Sequence, residues 1–345
     1  MTDPRPGLNP SRLVRLMAEA VDRCGLDLNG AVVLTEAASG AYAVTPVLAA
    51  MAGAEVVAVT RSTRYGSAAE IARNTLDLAR RANVRAGCLR IVEEKPADVM
   101  SRADIVTNSG HVRPIDAAMI DRLKPTAVIP LMYESWEYRA ADVDLAACRR
   151  RGIAVAGTNE RHPAVDVFSF LGVMAVRLLH EAGVAVYRSR VLVLCDNPFR
   201  SFIVSGLEGG GASVDVSTTV TGPLRDGYDA VLVANQPTEQ PIVGLTEAKV
   251  IAERWPGAVV AQYWGDVDRD ALVNVGVSFW PRESPGPGHM GVLPSAVGPE
   301  PIVRLQSGGL KVGELLWRAR KCGATAGKSV EAAEQSGFGE RVNGS

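Results

Sequence analysis

The chain has 345 residues, which suggests two domains of ordinary size, each able to bury its own hydrophobic core. It is 47% apolar and 22% charged, with a net charge of −1, so its electrostatics do not favour nucleic acid or an acidic membrane surface as a partner. No apolar run is long enough to span a bilayer, and the first residues lack the apolar core of a signal peptide. We therefore expect a cytoplasmic protein.

The five cysteines are odd in number, scattered along the chain and never in C-x-x-C spacing. This pattern predicts neither a disulfide framework nor a zinc site, and we expect no bound metal.

The first elements predict a βαβ unit that is preceded by an amphipathic helix. Apolar residues recur on one face of 11–24, as they do in a helix that packs on a sheet. The elements that follow are a strand at 31–34, a small-residue turn at 35–43, a helix at 44–51 and a strand at 55–59.

The turn after the first strand is a candidate binding segment, because ligands of open α/β sheets lie at the carboxyl ends of the strands. Its candidate substrate-binding residues are Thr35, Glu36, Ser39, Gly40 and Tyr42. We favour function for Glu36, since a carboxylate beside an apolar helix needs a reason. Ser39 and Gly40 are equally well explained as residues that allow a tight turn. Polar residues 61–64 end the next strand, either as a nucleotide contact or as a solvated loop.

The stretch 188–220 has the shape of a nucleotide-binding strand, turn, helix and strand. A strand is predicted at 191–194, then a helix capped by Asp196 or Asn197, then a strand at 212–216. In a dinucleotide-binding unit the turn carries G-x-G-x-x-G, so that the backbone approaches the pyrophosphate. Here the three glycine positions hold Cys195, Asn197 and Arg200. Their side chains occupy that space, although Arg200 can bind a phosphate by charge.

The candidate cofactor-binding residues are Cys195, Asp196, Asn197, Phe199, Arg200, Asn235, Tyr263 and Trp264. Cys195 has two interpretations, a functional thiol at a strand end or a small buried residue.

Residues 100–320 resemble, in order, the D-2-hydroxyacid dehydrogenases and related formate-dehydrogenase-like enzymes, whose architecture is shared by S-adenosylhomocysteine hydrolases. The resemblance is carried by the segments WEYRAADVDLAACRRRGIAVAGTNE at 136–160, PGAVVAQYWGDVDRDAL at 256–272 and PGHMGVLPSAVGPEPIVRL at 287–305. It implies an α/β fold of two Rossmann-like, doubly wound parallel-sheet domains with an interdomain cleft. It also implies a homodimer formed through the second domain.

The predicted domains are a substrate domain at 1–183 and a nucleotide-binding domain at 184–300. A C-terminal helix at 301–322 is expected to pack back on the first domain, and 323–345 is expected to be a flexible tail.

The resemblance also implies catalytic positions. His289 falls at the family's acid–base histidine, and Glu283 is the carboxylate that would tune it. The arginine that grips a 2-oxo acid in the family is replaced by Trp264, with Tyr263 beside it. That substrate class is therefore not implied.

Polar and aromatic residues follow several strands of the first domain, as expected of a small-molecule pocket. His111 and Glu134 are further catalytic candidates, and the substrate-binding candidates are Asn108, Ser109, Tyr133, Asn159 and Glu160. Taken singly, His111 is equally explained as a helix cap and Trp136 as a packing residue. His162 and His180 are interpreted as structural.

Three functions remain open at this point. The leading hypothesis is an NAD- or NADP-dependent oxidoreductase that acts on a small polar metabolite, with His289 as the acid–base group. The second is a non-redox enzyme that binds an adenosyl ligand such as S-adenosylmethionine or S-adenosylhomocysteine, with Glu36, His111 and Glu134 in proton transfer. The third is a non-catalytic binding protein.

Overall fold

The computed structural model describes residues 5–342, which form two compact units. Unit 1 consists of 5–167 and 298–342, and unit 2 consists of 168–297. The sequence predicts this boundary after residue 183, beyond the long helix that follows the first sheet. The structure instead assigns that helix to unit 2, because it packs closely on a helix there.

The described residues form twelve helices and twelve strands, apart from short 3-10 turns. In chain order they are α1 Pro10–Cys24, β1 Val32–Glu36, α2 Val44–Met51, β2 Glu55–Val59, α3 Ala68–Arg81, β3 Leu89–Val92, α4 Ala97–Arg102, β4 Ile105–Val106, α5 Ala117–Arg122, β5 Val128–Pro130, α6 Leu145–Arg151, β6 Ala154–Thr158, α7 Phe170–Glu181, β7 Arg190–Leu194, α8 Arg200–Gly209, β8 Ser213–Ser217, β9 Ala230–Val233, α9 Leu245–Arg254, β10 Val259–Gln262, α10 Arg269–Asn274, β11 Ser278–Trp280, α11 Glu300–Lys321, α12 Ala326–Gln335 and β12 Gly339–Arg341.

Unit 1 contains a seven-stranded sheet in the order β12-β6-β5-β4-β1-β2-β3, parallel except for β12. From β1 the chain proceeds to β2 and β3 on one side and later to β4, β5 and β6 on the other. The strand order therefore reverses between β1 and β4, the position at which sheets of this type bind ligands.

Apolar residues explain how the helices of unit 1 cover this sheet. The buried face of α1 carries Leu13, Leu16 and Met17, as the periodicity predicts. The 22-residue α11 packs along the sheet, and Gly313 lets it approach closely. A Cβ at Gly313 would lie 2.9 Å from a side-chain atom of Ile105.

The predicted flexible tail requires correction, since α12 and β12 lie within 323–345. Strand β12 pairs antiparallel with β6, and the Phe338 ring stacks on His162 with 3.8 Å between ring centroids. These contacts order a short polar segment through partners that are distant in sequence. Residues 343–345 of the predicted tail lie outside the described residues.

Unit 2 contains a five-stranded parallel sheet in the order β11-β10-β9-β7-β8. Its strand order reverses between β7 and β9. Helix α8 begins at Arg200, and its N-cap residue makes no side-chain capping bond. The predicted cap by Asp196 or Asn197 is therefore absent: Asn197 Oδ1 instead accepts a hydrogen bond of 3.0 Å from the backbone N–H of Phe199, one residue before the helix.

The two parallel-sheet α/β units confirm the predicted fold class. Among the described residues, no helix combines the length and apolar character needed to cross a membrane.

Candidate functional site

Glu36 and His111 meet at the point where the strand order of unit 1 reverses. Glu36 ends β1, and His111 lies in a 3-10 turn after β4. Glu36 Oε1 accepts a hydrogen bond of 3.2 Å from the His111 backbone N–H and lies 3.7 Å from His111 Nε2. Gly110 makes this contact possible, because a Cβ there would overlap the Glu36 carboxylate. The structure thus joins two residues that the sequence placed on separate strand ends.

Burial changes the pKa of Glu36 in this pair. It raises the pKa of Glu36 above its usual range, while the charge and backbone N–H of His111 and the charge of Arg113 act in the opposite direction. A carboxyl of raised pKa beside an imidazole is an arrangement suited to general acid–base catalysis.

A network of buried polar groups surrounds the pair. The Thr35 and Thr107 hydroxyls are 2.7 Å apart, and the Ser109 hydroxyl donates to Thr107 at 3.0 Å. Asn108 Oδ1 accepts from the Met132 backbone N–H at 2.8 Å. Asn108 is 2% exposed, and its Nδ2 is buried without a hydrogen-bond partner. The site therefore contains a spare donor for an oxygen atom of a ligand.

Glu134 follows β5 and is held by its neighbours. Its carboxylate accepts a hydrogen bond from Trp136 Nε1 and lies 3.4 Å from Arg161 Nε. Burial raises the pKa of Glu134, whereas the Trp136 bond and the Arg161 charge lower it. The adjacent Ser135 donates from its backbone N–H and its hydroxyl to Glu340 of β12, each at 3.0 Å.

Glu160 follows β6 and is 9% exposed. Within residues 5–342 its carboxylate makes no hydrogen bond or salt bridge. Burial, followed by the charges of Glu137 and Glu134, raises the pKa of Glu160 well above its usual range. Burial also raises the pKa of Glu137 to about 7.

Tyr42 connects this acidic group with the Glu36–His111 pair. Burial raises the pKa of the Tyr42 phenol, and the charges of Glu160, Glu137 and Glu36 raise it further. The charges of both sets of carboxylates thus act on the Tyr42 phenol.

Four other candidates of unit 1 have structural roles. Tyr133 donates its hydroxyl to Asp142 at 3.2 Å, and Asn159 Nδ2 donates to Gly337 O at 2.8 Å, which holds the C-terminal segment. Gly40 has φ of 63° and begins a 3-10 turn that follows Ser39. This geometry supports the interpretation that Ser39 and Gly40 shape the turn.

Sequence reasoning missed four residues of this site. Thr107 could have been found from its place at a strand end, and Glu137 from its position three residues after Glu134, the spacing of the capping box that the two form. Arg161 and Glu340 gave no signal, since Glu340 reaches the site only through the pairing of β12 with β6.

In unit 2, side chains occupy the crevice between β7 and β9. Asp196 Oδ1 accepts from the Gln236 backbone N–H at 2.8 Å, and Asn197 Nδ2 donates to Ala234 O at 2.7 Å. Both side chains are thus already bonded within the turn, which has none of the three glycines that let a backbone approach a pyrophosphate. The residues of this turn therefore do not fit a dinucleotide bound in the usual way.

Several predicted cofactor residues belong to the core of unit 2 instead. Tyr263 is 0% exposed, and its hydroxyl donates to Leu171 O at 3.0 Å. The buried Phe199 ring stacks on Trp264 with 5.0 Å between centroids. Cys195 is also buried, which raises the pKa of its thiol and supports its interpretation as a small core residue. These apolar surfaces pack on one another, which explains their burial.

The remaining polar candidates of unit 2 are dispersed. Asn235 is buried and donates from Nδ2 to Thr218 O at 3.3 Å. Exposed Arg200 lines an open groove of about 580 Å³ on α8 and makes no salt bridge within the described part of the chain. His289 and Glu283 are both exposed, and among residues 5–342 no hydrogen bond or salt bridge joins them.

Within residues 5–342, no group of three or more His, Cys, Asp and Glu side chains is arranged to hold a metal ion.

Comparisons with known proteins add information about the fold. No protein-family model matches the chain, and no curated protein matches it in sequence. Dipicolinate synthase from Bacillus subtilis is similar at 11% identity, with 86% of this chain and 99% of that chain covered and a TM-score of 0.56. A dipicolinate synthase subunit from Bacillus halodurans is similar at 12% identity, with 81% and 96% covered and a TM-score of 0.52.

The chain has the fold of these two dipicolinate synthase chains. The resemblance to D-2-hydroxyacid dehydrogenase-like proteins is confirmed at the level of the fold. NAD-dependent formate dehydrogenase from Staphylococcus aureus is also similar, at 12% identity, with 81% and 92% covered and a TM-score of 0.46. At such identities the likeness concerns the dehydrogenase-like fold alone, and the chemistry has to be argued from the residues.

Proposed function

We propose that this protein is an enzyme that moves protons to and from a small polar metabolite, with His111 and Glu36 as its acid–base pair. The observation that supports this function is the placement of the pair. It lies where the strand order of unit 1 reverses, with 3.7 Å between Glu36 Oε1 and His111 Nε2. Ligands of open α/β sheets bind at such positions, and proton transfer is the chemistry that these two groups provide.

Each residue of the site has a role in this proposal. His111 exchanges the proton with the metabolite, and Glu36 holds the ring and stabilises its protonated form. The spare Nδ2 donor of Asn108 binds an oxygen atom of the metabolite. Glu134, which the sequence suggested as catalytic, acts as a positioning residue, because its carboxylate already contacts Trp136 and Arg161.

Solvent hydrogen exchange tests this function without knowledge of the full reaction. The protein is incubated in D₂O with a panel of small amino, hydroxy and oxo acids, and mass spectrometry detects deuterium bound to carbon. We expect incorporation into at least one compound. The rate should fall at least about 100-fold in His111→Gln and Glu36→Gln, the lower range for loss of a general acid–base group.

Two further histidines provide matched controls for this experiment. His180→Gln changes an exposed histidine at the end of α7 and should leave exchange unchanged. His289→Ala should also leave it unchanged. Loss of exchange in His289→Ala, with full exchange in His111→Gln, would transfer the acid–base role to the position that the sequence resemblance favoured.

An NAD- or NADP-dependent oxidoreductase is the second candidate, and Arg200 is the residue that favours it. Its exposed guanidinium lies in the first turn of α8, without a salt bridge among the described residues, beside Ser201 and Ser205 in the groove. A phosphate of a nucleotide could be bound there by charge and hydroxyl groups, outside the closed crevice. Direct binding measurements with dinucleotides separate this candidate from the first.

A further inference from the structure

We propose that the ends of β5 and β6 bind an organic cation, a primary ammonium group, through Glu137 and Glu160, with the Tyr42 ring beside it. This inference rests on the proposed function, because it names the substrate class of the same site. The metabolite would then be a small amine or amino compound whose ammonium group is bound at one end of the site, apart from the proton transfer at His111.

The carboxylate of Glu160 has no partner among the described residues. The residue is 9% exposed, yet its carboxylate makes no hydrogen bond or salt bridge within residues 5–342. A buried ionised carboxylate without a partner is strongly unfavourable. An ammonium group supplied by a ligand provides both the opposite charge and the missing hydrogen-bond donors.

The cations near Glu160 act on other carboxylates. Arg161 lies 3.4 Å from Glu134 Oε1 and 3.2 Å from Glu340 Oε1. Arg139 is exposed and acts on Glu137 only through its charge, less strongly than burial and the neighbouring Glu134 do. Four carboxylates, those of Glu134, Glu137, Glu160 and Glu340, therefore share few positive charges. The excess of negative charge is largest at Glu137 and Glu160.

Backbone pairing brings the segments that carry Glu137 and Glu160 together. The backbone N–H of Thr158 donates to Tyr133 O at 2.9 Å, which fixes the ends of β5 and β6 side by side. Glu137 then lies in the 3-10 turn after β5, where its carboxylate accepts a 3.4 Å bond from the backbone N–H of Glu134. Glu160 lies two residues after the end of β6. Both residues thus lie in short segments that follow two paired strands.

The cation that suits this site is organic. Among the described residues, no three His, Cys, Asp or Glu side chains are arranged to bind a metal ion. An ammonium group is the cation that two separate carboxylates can bind. Tyr42 is 40% exposed, which leaves part of its ring accessible to a ligand, and aromatic faces attract ammonium groups.

Calorimetric titration of the full-length protein at pH 8 with 1,4-diaminobutane tests this inference, and 1,4-butanediol serves as the neutral probe of the same length. We expect heat of binding from the diamine only. Glu160→Gln and Glu137→Gln should each weaken diamine binding at least about tenfold. Glu93→Gln, an exposed glutamate of the same unit, should bind as the unaltered protein does.

Proton release gives a second readout that a change in folding would not mimic. Because the two carboxyls have raised pKa values, binding of a cation should release protons, which is measured by repeating the titration in buffers of different ionisation enthalpy. Equal binding of diamine in both Gln variants, or no diamine binding at millimolar concentration, would overturn the inference. Diamine binding by the unaltered protein, together with no deuterium exchange into any compound of the panel, would contradict the proposed function alone.

Discussion

Glu160 shows most clearly that this site is arranged for something other than stability. A glutamine there would be nearly the same size, would carry no charge and would avoid the cost of a buried carboxylate. Glu137 and Glu134 add like charges that raise the pKa of Glu160 further. Groups whose ionisation is disfavoured in this way concentrate at functional sites.

The stability of Glu160→Gln should therefore depend on pH in a defined direction. The pKa of Glu160 is raised on folding, so the unfolded chain loses its proton first as the pH rises above about 4.5. The free energy of unfolding of the unaltered protein falls in that range, by up to about 1.4 kcal/mol per pH unit. Glutamine does not ionise, so the free energy of unfolding of Glu160→Gln does not fall in this way. The two proteins should be equally stable at pH 4, and the variant should be more stable at pH 8.

Urea unfolding of both proteins at pH 4, 6 and 8 measures this difference. Glu93→Gln is the control, since an exposed glutamate contributes little. A Glu160→Gln protein that is less stable than the unaltered chain at pH 8 would mean that the carboxylate has a stabilising partner.

Gly110 determines whether Glu36 can reach His111. A Cβ at residue 110 would overlap the Glu36 carboxylate, so Gly110→Ala should displace it and lower hydrogen exchange at least about tenfold. Gly327→Ala in α12 has open space around its Cβ and should retain full exchange. Unchanged exchange in Gly110→Ala would show that the Glu36–His111 contact is not needed.

At the level of elements, the contact between α7 and α8 depends on two glycines. A Cβ at Gly206 would lie 2.4 Å from Gly172 Cα, and one at Gly172 would lie 2.5 Å from Phe202 O. Backbone cannot move aside as a side chain can, so Gly206→Ala should push the helices apart and destabilise the protein by about 1–3 kcal/mol.

Gly209 provides a matched control in the same helix, because its Cβ would meet nothing within 4 Å. Gly209→Ala should leave stability unchanged or raise it by up to about 1 kcal/mol through helix propensity. Denaturant unfolding monitored by circular dichroism compares the variants. Equal stability of Gly206→Ala and Gly209→Ala would contradict the close packing of α7 on α8.

The elements also show where sequence reasoning succeeds. The sequence predicts the strand β2 and the helix α2 with the bounds that the structure has, because each is an apolar run bounded by polar or turn residues. It does not predict α12 and β12. Their composition is small and polar, and β12 is a three-residue strand whose order comes from its partner β6.

Over the whole molecule, the strand ends of unit 1 are predictable as binding positions, because a parallel sheet places its carboxyl ends on one edge. Contacts between side chains from different strands are not. Glu36 and His111 are a pair that only the strand order brings together. Alignment with a family motif assigns Trp264 and Tyr263 to a cofactor, but apolar packing buries them.

The distribution of polar groups between the two units leads to a prediction about ligands. Unit 1 contains the acid–base pair, the spare donor and the unpaired carboxylate. In unit 2 the crevice is closed by Asp196 and Asn197. We therefore expect unit 1 ligands to stabilise the protein, by about 2.7 kcal/mol at 100 times their dissociation constant, and dinucleotides to have no such effect.

Titration with NAD, NADH, NADP, NADPH, S-adenosylmethionine and S-adenosylhomocysteine tests this expectation by calorimetry and thermal shift. We expect no binding of the four dinucleotides at submillimolar concentration, since Asp196 and Asn197 already close the crevice with hydrogen bonds of their own and Asp196 places a carboxylate there. The decisive variant is Arg200→Ala, with Arg188→Ala as a control arginine of the same unit. Dinucleotide binding that Arg200→Ala abolishes and Arg188→Ala retains would establish the groove on α8 as a phosphate site. Hydride transfer would then replace proton transfer as the chemistry to assay.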